Sequence, residues 1–108
     1  MATTYKVLGQ SNPSATTETT LYTAANPAVV SSIAICNQTG TAATYRIAIR
    51  PSADVSTAAK HWVVYGATVG ASDSVVLTCG FTLAASDKVQ IYASSANLSF
   101  SAFGSEIS

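Results

Sequence analysis

The apolar positions along this chain recur with the two-residue period of β-strands. Apolar residues alternate with small or hydroxylated ones in short runs, and clusters of Gly, Pro, Asn, Asp and Ser separate these runs. The pattern predicts eight strands, at Tyr5–Gly9, Thr19–Thr23, Ala28–Asn37, Ala43–Arg50, His61–Val69, Ser74–Cys79, Lys88–Ser94 and Leu98–Gly104. The longest gap between them, Ser52–Lys60, shows no clear apolar stripe and is predicted to be a loop.

Alternation within the strands also predicts which side chains are buried. Several strands have one apolar face and one face of small or hydroxylated residues, which is typical of two antiparallel sheets packed face to face. The predicted core contains Ile33, Ile35, Ile47, Ile49, Leu77, Ile91 and Phe100. We therefore expect an all-β protein with one domain over residues 1–108. It should form a compact antiparallel β-sandwich of about eight strands, connected as in a jelly roll or an immunoglobulin domain.

The composition describes a surface that is poor in charge. Charged residues make up 9% of the chain, whereas an ordinary globular domain has about 25%. The chain contains 19 Ala, 15 Ser and 14 Thr, and five basic residues balance five acidic ones. Near-zero net charge favours association. The composition therefore fits either a stable extracellular-style β domain with a hydroxyl-rich surface or a subunit that its neighbours cover.

The same figures exclude two classes of partner. Nucleic-acid binding requires clustered Lys and Arg, which this chain lacks. No apolar run approaches the roughly 20 residues of a membrane-spanning helix, and the first ten residues lack a basic start followed by an apolar stretch. We expect no contact with nucleic acid or membrane, and no Sec-exported precursor.

No motif predicts catalysis or metal binding. His61 is the single histidine, and although Asp54 and Asp73 flank it along the chain, no G-x-S-x-G nucleophile elbow is present. The three aspartates lie among turn residues, where Asp commonly caps backbone amides. Cys36 and Cys79 with one histidine are too few for a structural zinc site, and we expect them to be unpaired thiols. We expect no catalytic residue, metal or cofactor.

Five residues are candidates for contact with a partner. Arg46 and Arg50 lie on one face of one predicted strand, where their guanidinium groups are suited to gripping carboxylates, although a solvated strand face is the alternative. Trp62, Tyr65 and His61 follow on the next strand, and aromatic and arginine side chains are enriched at interfaces. Exposed aromatic faces also stack on sugars, so a carbohydrate-binding surface is a second interpretation.

Three segments resemble a known group of proteins. YKVLGQSNPSATTETTLYTA near the start, TAATYRIAIRPSA (Thr41–Ala53) and ANLSFSAFGSEIS (Ala96–Ser108) are together similar to small virion proteins of tailed bacteriophages, including cyanobacterial phages. The resemblance covers most of the chain, and its most specific pieces are YKVLGQ and NLSFSAFGSE.

The resemblance implies a non-enzymatic structural subunit of a phage particle, made in the host cytoplasm and located in the virion. A capsid decoration (cement) protein that stabilises the head shell is the preferred role, and a tail-associated fibre or tip component or a carbohydrate-binding module is the alternative. The implied partners are further copies of the chain, by analogy with the shell as a homotrimer, and the major capsid protein or another virion protein.

Overall fold

A computed structural model describes residues 3–107 of the chain. These residues form eight strands and one short 3-10 turn. The elements are β1 (Thr3–Ser11), β2 (Thr19–Thr23), β3 (Ala28–Asn37), β4 (Ala43–Arg50), the 3-10 turn Ala59–His61, β5 (Trp62–Val69), β6 (Ser74–Leu83), β7 (Lys88–Ala93) and β8 (Leu98–Ile107). All eight predicted strands are therefore confirmed.

The strand ends show where local pattern and tertiary pairing differ. The bounds of β2, β3 and β4 are those predicted, and β7 ends one residue early, whereas β6 and β8 continue to Leu83 and Ile107. They continue because Gly80 and Gly104, which resemble chain breakers in sequence, lie inside strands whose flanking residues pair with β3. The predicted loop at Ser52–Lys60 is confirmed except at its end, where a 3-10 turn delays the next strand to Trp62.

The eight strands form two four-stranded antiparallel sheets. Their orders are β1-β8-β3-β6 and β2-β7-β4-β5, and we call them sheet A and sheet B. Strands from the two halves of the chain pair as β1 with β8, β2 with β7, β3 with β6 and β4 with β5. The chain is thus one long antiparallel ribbon wrapped around the core, which is the jelly-roll arrangement. The immunoglobulin-like connection, our other expectation, is not formed.

The core lies between the two sheets, where the alternation placed it. Ile33, Ile35, Ile47, Ile91 and Phe100 are all buried, as predicted. The other two predicted core residues, Ile49 and Leu77, are only partly buried and pack against the edge of this cluster. Leu77 is less covered because it lies on β6, an edge strand of sheet A.

A polar contact joins the two sheets at one edge of the sandwich. The Tyr22 hydroxyl of β2 donates a hydrogen bond to the Glu106 carboxylate of β8, and Lys6 Nζ lies 2.9 Å from the other carboxylate oxygen. These two hydrogen bonds hold the pKa of Glu106 below its usual range. Burial, followed by the contact with Glu106, raises the pKa of Tyr22.

The lowered pKa of Glu106 predicts an acid-sensitive component of stability. A carboxyl whose pKa is lower in the folded state stabilises the fold above its unfolded pKa, and this contribution is lost as the pH falls through the folded pKa. We expect urea titrations to show a larger loss of unfolding free energy between about pH 7 and about pH 3 for the wild type than for Glu106→Gln. Equal losses in the two proteins would contradict the assignment.

The outward face of sheet A carries none of the ten charged residues of the chain. We call this surface, formed by the outward-pointing side chains of the four strands, the neutral face. Its members are Thr3, Tyr5, Val7 and Gln10 of β1, Ser99, Ser101, Phe103 and Ser105 of β8, Val29, Ser32, Ala34 and Cys36 of β3, and Ser74, Val76, Thr78 and Thr82 of β6. Alternation directs Lys6 and Glu106 to the opposite side of the sheet, towards Tyr22.

Two further expectations concern the cysteines and membrane-spanning segments. Cys36 and Cys79 are both free thiols, as expected; they lie on neighbouring strands, and their side chains point to opposite faces of sheet A. Within residues 3–107, no helix is long and apolar enough to cross a membrane.

Candidate functional site

Two irregularities in β5 place three of the candidate residues on one surface. Along β4, Arg46 pairs with Tyr65 and Ala48 pairs with Trp62, although Trp62 and Tyr65 are three residues apart. Regular alternation would direct side chains at this odd spacing to opposite faces. Val63 is left without a register partner between them, so the strand is bulged there. As bulges commonly do, this one re-aims a side chain, and Trp62 joins Tyr65 on the outer face of sheet B.

A second bulge lies on the other side of Tyr65. Gly66 is left out of the register between Tyr65 and Ala67, and its φ is +79°. An L side chain at this position would be strained, whereas glycine adopts the conformation readily. The two bulges therefore bracket Tyr65 and fix the direction in which it emerges from the sheet.

Arg46 lies at the centre of an aromatic row that crosses three strands. It pairs in register with Tyr65 of β5 on one side and Tyr92 of β7 on the other. Its guanidinium carbon is 4.1 Å from the ring centroid of Tyr65 and 4.3 Å from that of Tyr92. Trp62 is farther, at 5.9 Å, and meets Tyr65 edge to face at 5.6 Å between centroids. We call Arg46, Trp62, Tyr65 and Tyr92 the arginine–aromatic site.

The two arginines of β4 have different environments. Arg50 Nη1 donates to Thr57 Oγ1 at 3.2 Å and lies 3.7 Å from Glu18 Oε2. Glu18 also accepts hydrogen bonds from Thr57 and, at 2.7 Å, from Gln90 Nε2, so Arg50 is part of an internal network. Arg46 has no such partner, because no residue in 3–107 gives its guanidinium a hydrogen-bond acceptor or an ion pair.

The loop between β4 and β5 is closed by His61. The backbone amide of Ala58 donates to His61 Nδ1 at 2.8 Å, so the ring proton is on Nε2, which lies 2.9 Å from Asp54 Oδ2. This hydrogen bond, helped by the charge of Lys60, lowers the pKa of Asp54. The His61 residue is only 5% exposed, and both ring nitrogens are used inside the loop. It therefore fixes the turn that leads into Trp62.

The expected aspartate caps are found in two of the three cases. Asp73 Oδ1 accepts from the backbone amide of Ser74 at 2.8 Å, and the Asp87 carboxylate accepts from the amides of Ser52 and Ala84 at 2.9 Å each. Asp54 instead bonds to the ring of His61, because the loop brings that ring to it.

An open depression lies beside the arginine–aromatic site. It has a volume of 490 Å³ and is lined by Thr57, Ala58, Ala59, Trp62 and Tyr65. Tyr65 is 64% exposed. The small side chains of the loop leave the aromatic side chains accessible at the wall of this depression. The site thus combines aromatic surface, a cation with free donors and a concave edge.

The structure brings together Arg46, Trp62 and Tyr65 and places Arg50 and His61 beside them in internal contacts. Tyr92 completes the stack, and as a strand tyrosine it was open to either an interface or a half-buried position. Its outward position on β7 follows from the alternation with the buried Val89 and Ile91, but its position opposite Arg46 depends on the strand order. Glu18 shows no sequence signal, because it comes before a different strand and reaches Arg50 only through the fold.

No protein-family model matches the chain, and neither a curated protein nor a solved structure matches it.

Proposed function

We propose that this protein is a non-enzymatic structural subunit of a tailed-phage particle, acting as a capsid decoration protein that stabilises the head shell. One observation carries the part of the proposal that concerns docking on another protein: Arg46 is held between the rings of Tyr65 and Tyr92 and has no acceptor within residues 3–107. A planar, weakly hydrated cation prepared in this way is suited to grip a carboxylate on another protein with two parallel hydrogen bonds.

The make-up of the site supports a protein partner. Tryptophan, tyrosine and arginine are the residues that most often dominate binding energy at protein interfaces. Here the stack already fixes the guanidinium, and the two bulges fix Tyr65, so little side-chain freedom is lost when a partner binds. Repetition over a symmetric shell then multiplies modest individual contacts through avidity.

The fold is compatible with this role but does not select it. Jelly rolls occur in viral capsid proteins and also in lectins, and function resides in sites rather than in folds. The resemblance of the three sequence segments to phage virion proteins supports a role in a virus particle over a role as a lectin. The low charge supports it as well, because an assembled subunit relies on contact with neighbours more than on surface charge.

The environment of His61 supports a non-enzymatic role. A histidine acting as a general base must have a ring nitrogen free to take the proton of a nucleophile. Both nitrogens of His61 are held by Ala58 and Asp54 within the same loop. The ring therefore serves as a positioning group for the loop and for Trp62.

The location of the protein in an intact particle tests the proposal directly. Purified particles encoded by the same genome as this chain are labelled with an antibody against it and imaged. We expect label over the head surface. Label confined to the tail would replace decoration with a tail-associated role, and absence of the chain from purified particles would overturn the virion assignment.

Replacing Arg46 tests the site itself. We expect Arg46→Ala to weaken binding of the purified protein to particles that lack it by about 30-fold, the scale of an interface hot spot. Lys88→Ala removes a positive charge from the same sheet, outside the stack, and is the matched control. Binding is measured by co-sedimentation with the particles. Equal losses for the two variants would show that overall charge, and not the arginine–aromatic site, governs binding.

A carbohydrate-binding role is the second candidate, favoured by the open depression beside Trp62 and Tyr65. Aromatic faces at a concave surface can stack on sugar rings, as in a module at a tail tip. A glycan array with the purified protein tests this role. Saturable binding that is lost in Trp62→Ala and retained in Val63→Ala would replace decoration with glycan recognition, and a blank array would leave decoration preferred.

A further inference from the structure

The charged residues of this protein are distributed very unevenly over its surface. Arg46, Arg50 and Lys88 lie on the strands of sheet B, and Asp54 and Lys60 lie in its loop. The neutral face of sheet A has none of the ten, although it spans four strands. Lys6 and Glu106 are on strands of sheet A, but they pair with each other at its edge. The outward-pointing side chains of this sheet are therefore uncharged among the described residues, and Lys6 lies only at their border.

The neutral face is nevertheless accessible and contains exposed apolar side chains. Tyr5 is 83% exposed, Val76 65% and Val7 48%. Tyr5 and Val7 also line, with Phe103, an open depression of 540 Å³ on this side of the molecule, and Lys6 of the edge strand β1 borders the same depression. The middle of the face is a row of small residues in register, in which Ser101 pairs with Ala34 and Ala34 with Val76. The middle of the face is therefore low in relief, and exposed apolar groups lie at both of its margins.

The size of the face matches what a stable contact needs. Strands of about ten residues at ~3.3 Å per residue, in a sheet of four strands ~4.8 Å apart, make a surface of roughly 600 Å². Two such surfaces placed together would bury about 1,200 Å², the lower bound for a specific protein interface.

The absence of charge on the neutral face indicates which kind of protein packs there. When two copies of one chain meet through the same surface, each side chain near the symmetry axis faces its own counterpart, so a charged residue there would meet a like charge. A face without charges has no such repulsion. A different protein would be recognised more readily through complementary charges, which sheet B offers in Arg46. We infer that a second copy of this chain packs on the neutral face, sheet A against sheet A, as a two-fold dimer.

This inference does not depend on the proposed function, since self-association can be measured on the isolated protein. It also differs from the threefold oligomer expected by analogy with the shell. A closed trimer joins two different surfaces of each copy, whereas contact through one shared face closes as a dimer. A dimer and a trimer of this chain differ in molar mass, so a measurement of the mass in solution distinguishes them.

Sedimentation equilibrium over a concentration series tests the dimer. We expect the wild-type mass to approach twice the chain mass of 11.0 kDa. Ala34→Lys places two like charges near the axis and should weaken association about tenfold or more. Val76→Lys, at a position already exposed on an edge strand, should weaken it with no risk to the core. Thr68→Lys adds the same charge to an exposed position of sheet B and should leave the mass unchanged.

Each other outcome overturns the inference. A wild-type protein that is monomeric at every concentration has no self-association through this face. A trimer, or a dimer that persists in both Ala34→Lys and Val76→Lys while their far-ultraviolet circular dichroism is unchanged, assigns the contact to another surface. Loss of the dimer in Thr68→Lys alone would assign it to sheet B.

Discussion

Replacing Phe100 with Ala is expected to lower the free energy of unfolding by about 3–5 kcal/mol, the range for removing a buried aromatic side chain. Phe100 is 1% exposed and meets Tyr45 of the opposite sheet edge to face, with 6.4 Å between ring centroids. The substitution therefore removes packing between the two sheets and leaves a cavity that the surrounding β-strands cannot easily fill. Equilibrium unfolding in urea measures the loss.

The same strand provides the control. Phe103 lies three residues farther along β8, on the neutral face, and is only partly buried. Phe103→Ala should cost less than about 1 kcal/mol, because no closed cavity forms. A similar loss for both variants would mean that the two faces of β8 are not distinguished by burial, which would contradict the sandwich packing.

Gly104→Ala is expected to have the second large effect, a loss of about 3 kcal/mol, the upper end for changes that force the backbone to move. A Cβ atom at Gly104 would lie 2.0 Å from the backbone oxygen of Val29 and 3.1 Å from Leu8 Cδ1. The contact is with backbone of the neighbouring strand, so a change of rotamer cannot relieve it. β3 and β8 would have to separate where β3 shifts its register, between Val30 and Ser32.

Gly80→Ala is the matched control for this clash. Gly80 is also inside a strand of sheet A, but a Cβ atom there would meet nothing within 4 Å. Alanine should be tolerated and should raise stability by up to about 0.5 kcal/mol, since it restricts the unfolded chain. If Gly104→Ala proved as stable as Gly80→Ala in urea titrations, the close approach of β8 to β3 would be wrong.

The sequence by itself determined the strands and the centre of the core. Ile33, Ile47 and Phe100 could be assigned to the interior because alternation is a local property: a strand of period two must turn every second side chain inward if one face is apolar. For the same reason Arg46 and Arg50 could be placed on one outward face. The all-β sandwich could also be predicted from the sequence, because eight such segments separated by turns have few other ways to bury their apolar faces.

The tertiary structure alone decided how the site is assembled. Strict alternation separates Trp62 from Tyr65, and only the bulge at Val63 returns both to the side of Arg46. Tyr92 reaches Arg46 because β7 lies beside β4, and Arg50 is occupied because Glu18 arrives from before β2. Strand order, register and bulges depend on contacts between residues far apart in the chain. The pattern of a few consecutive residues predicts the face of the sheet to which each side chain points. It does not predict which residue lies beside that side chain on the neighbouring strand.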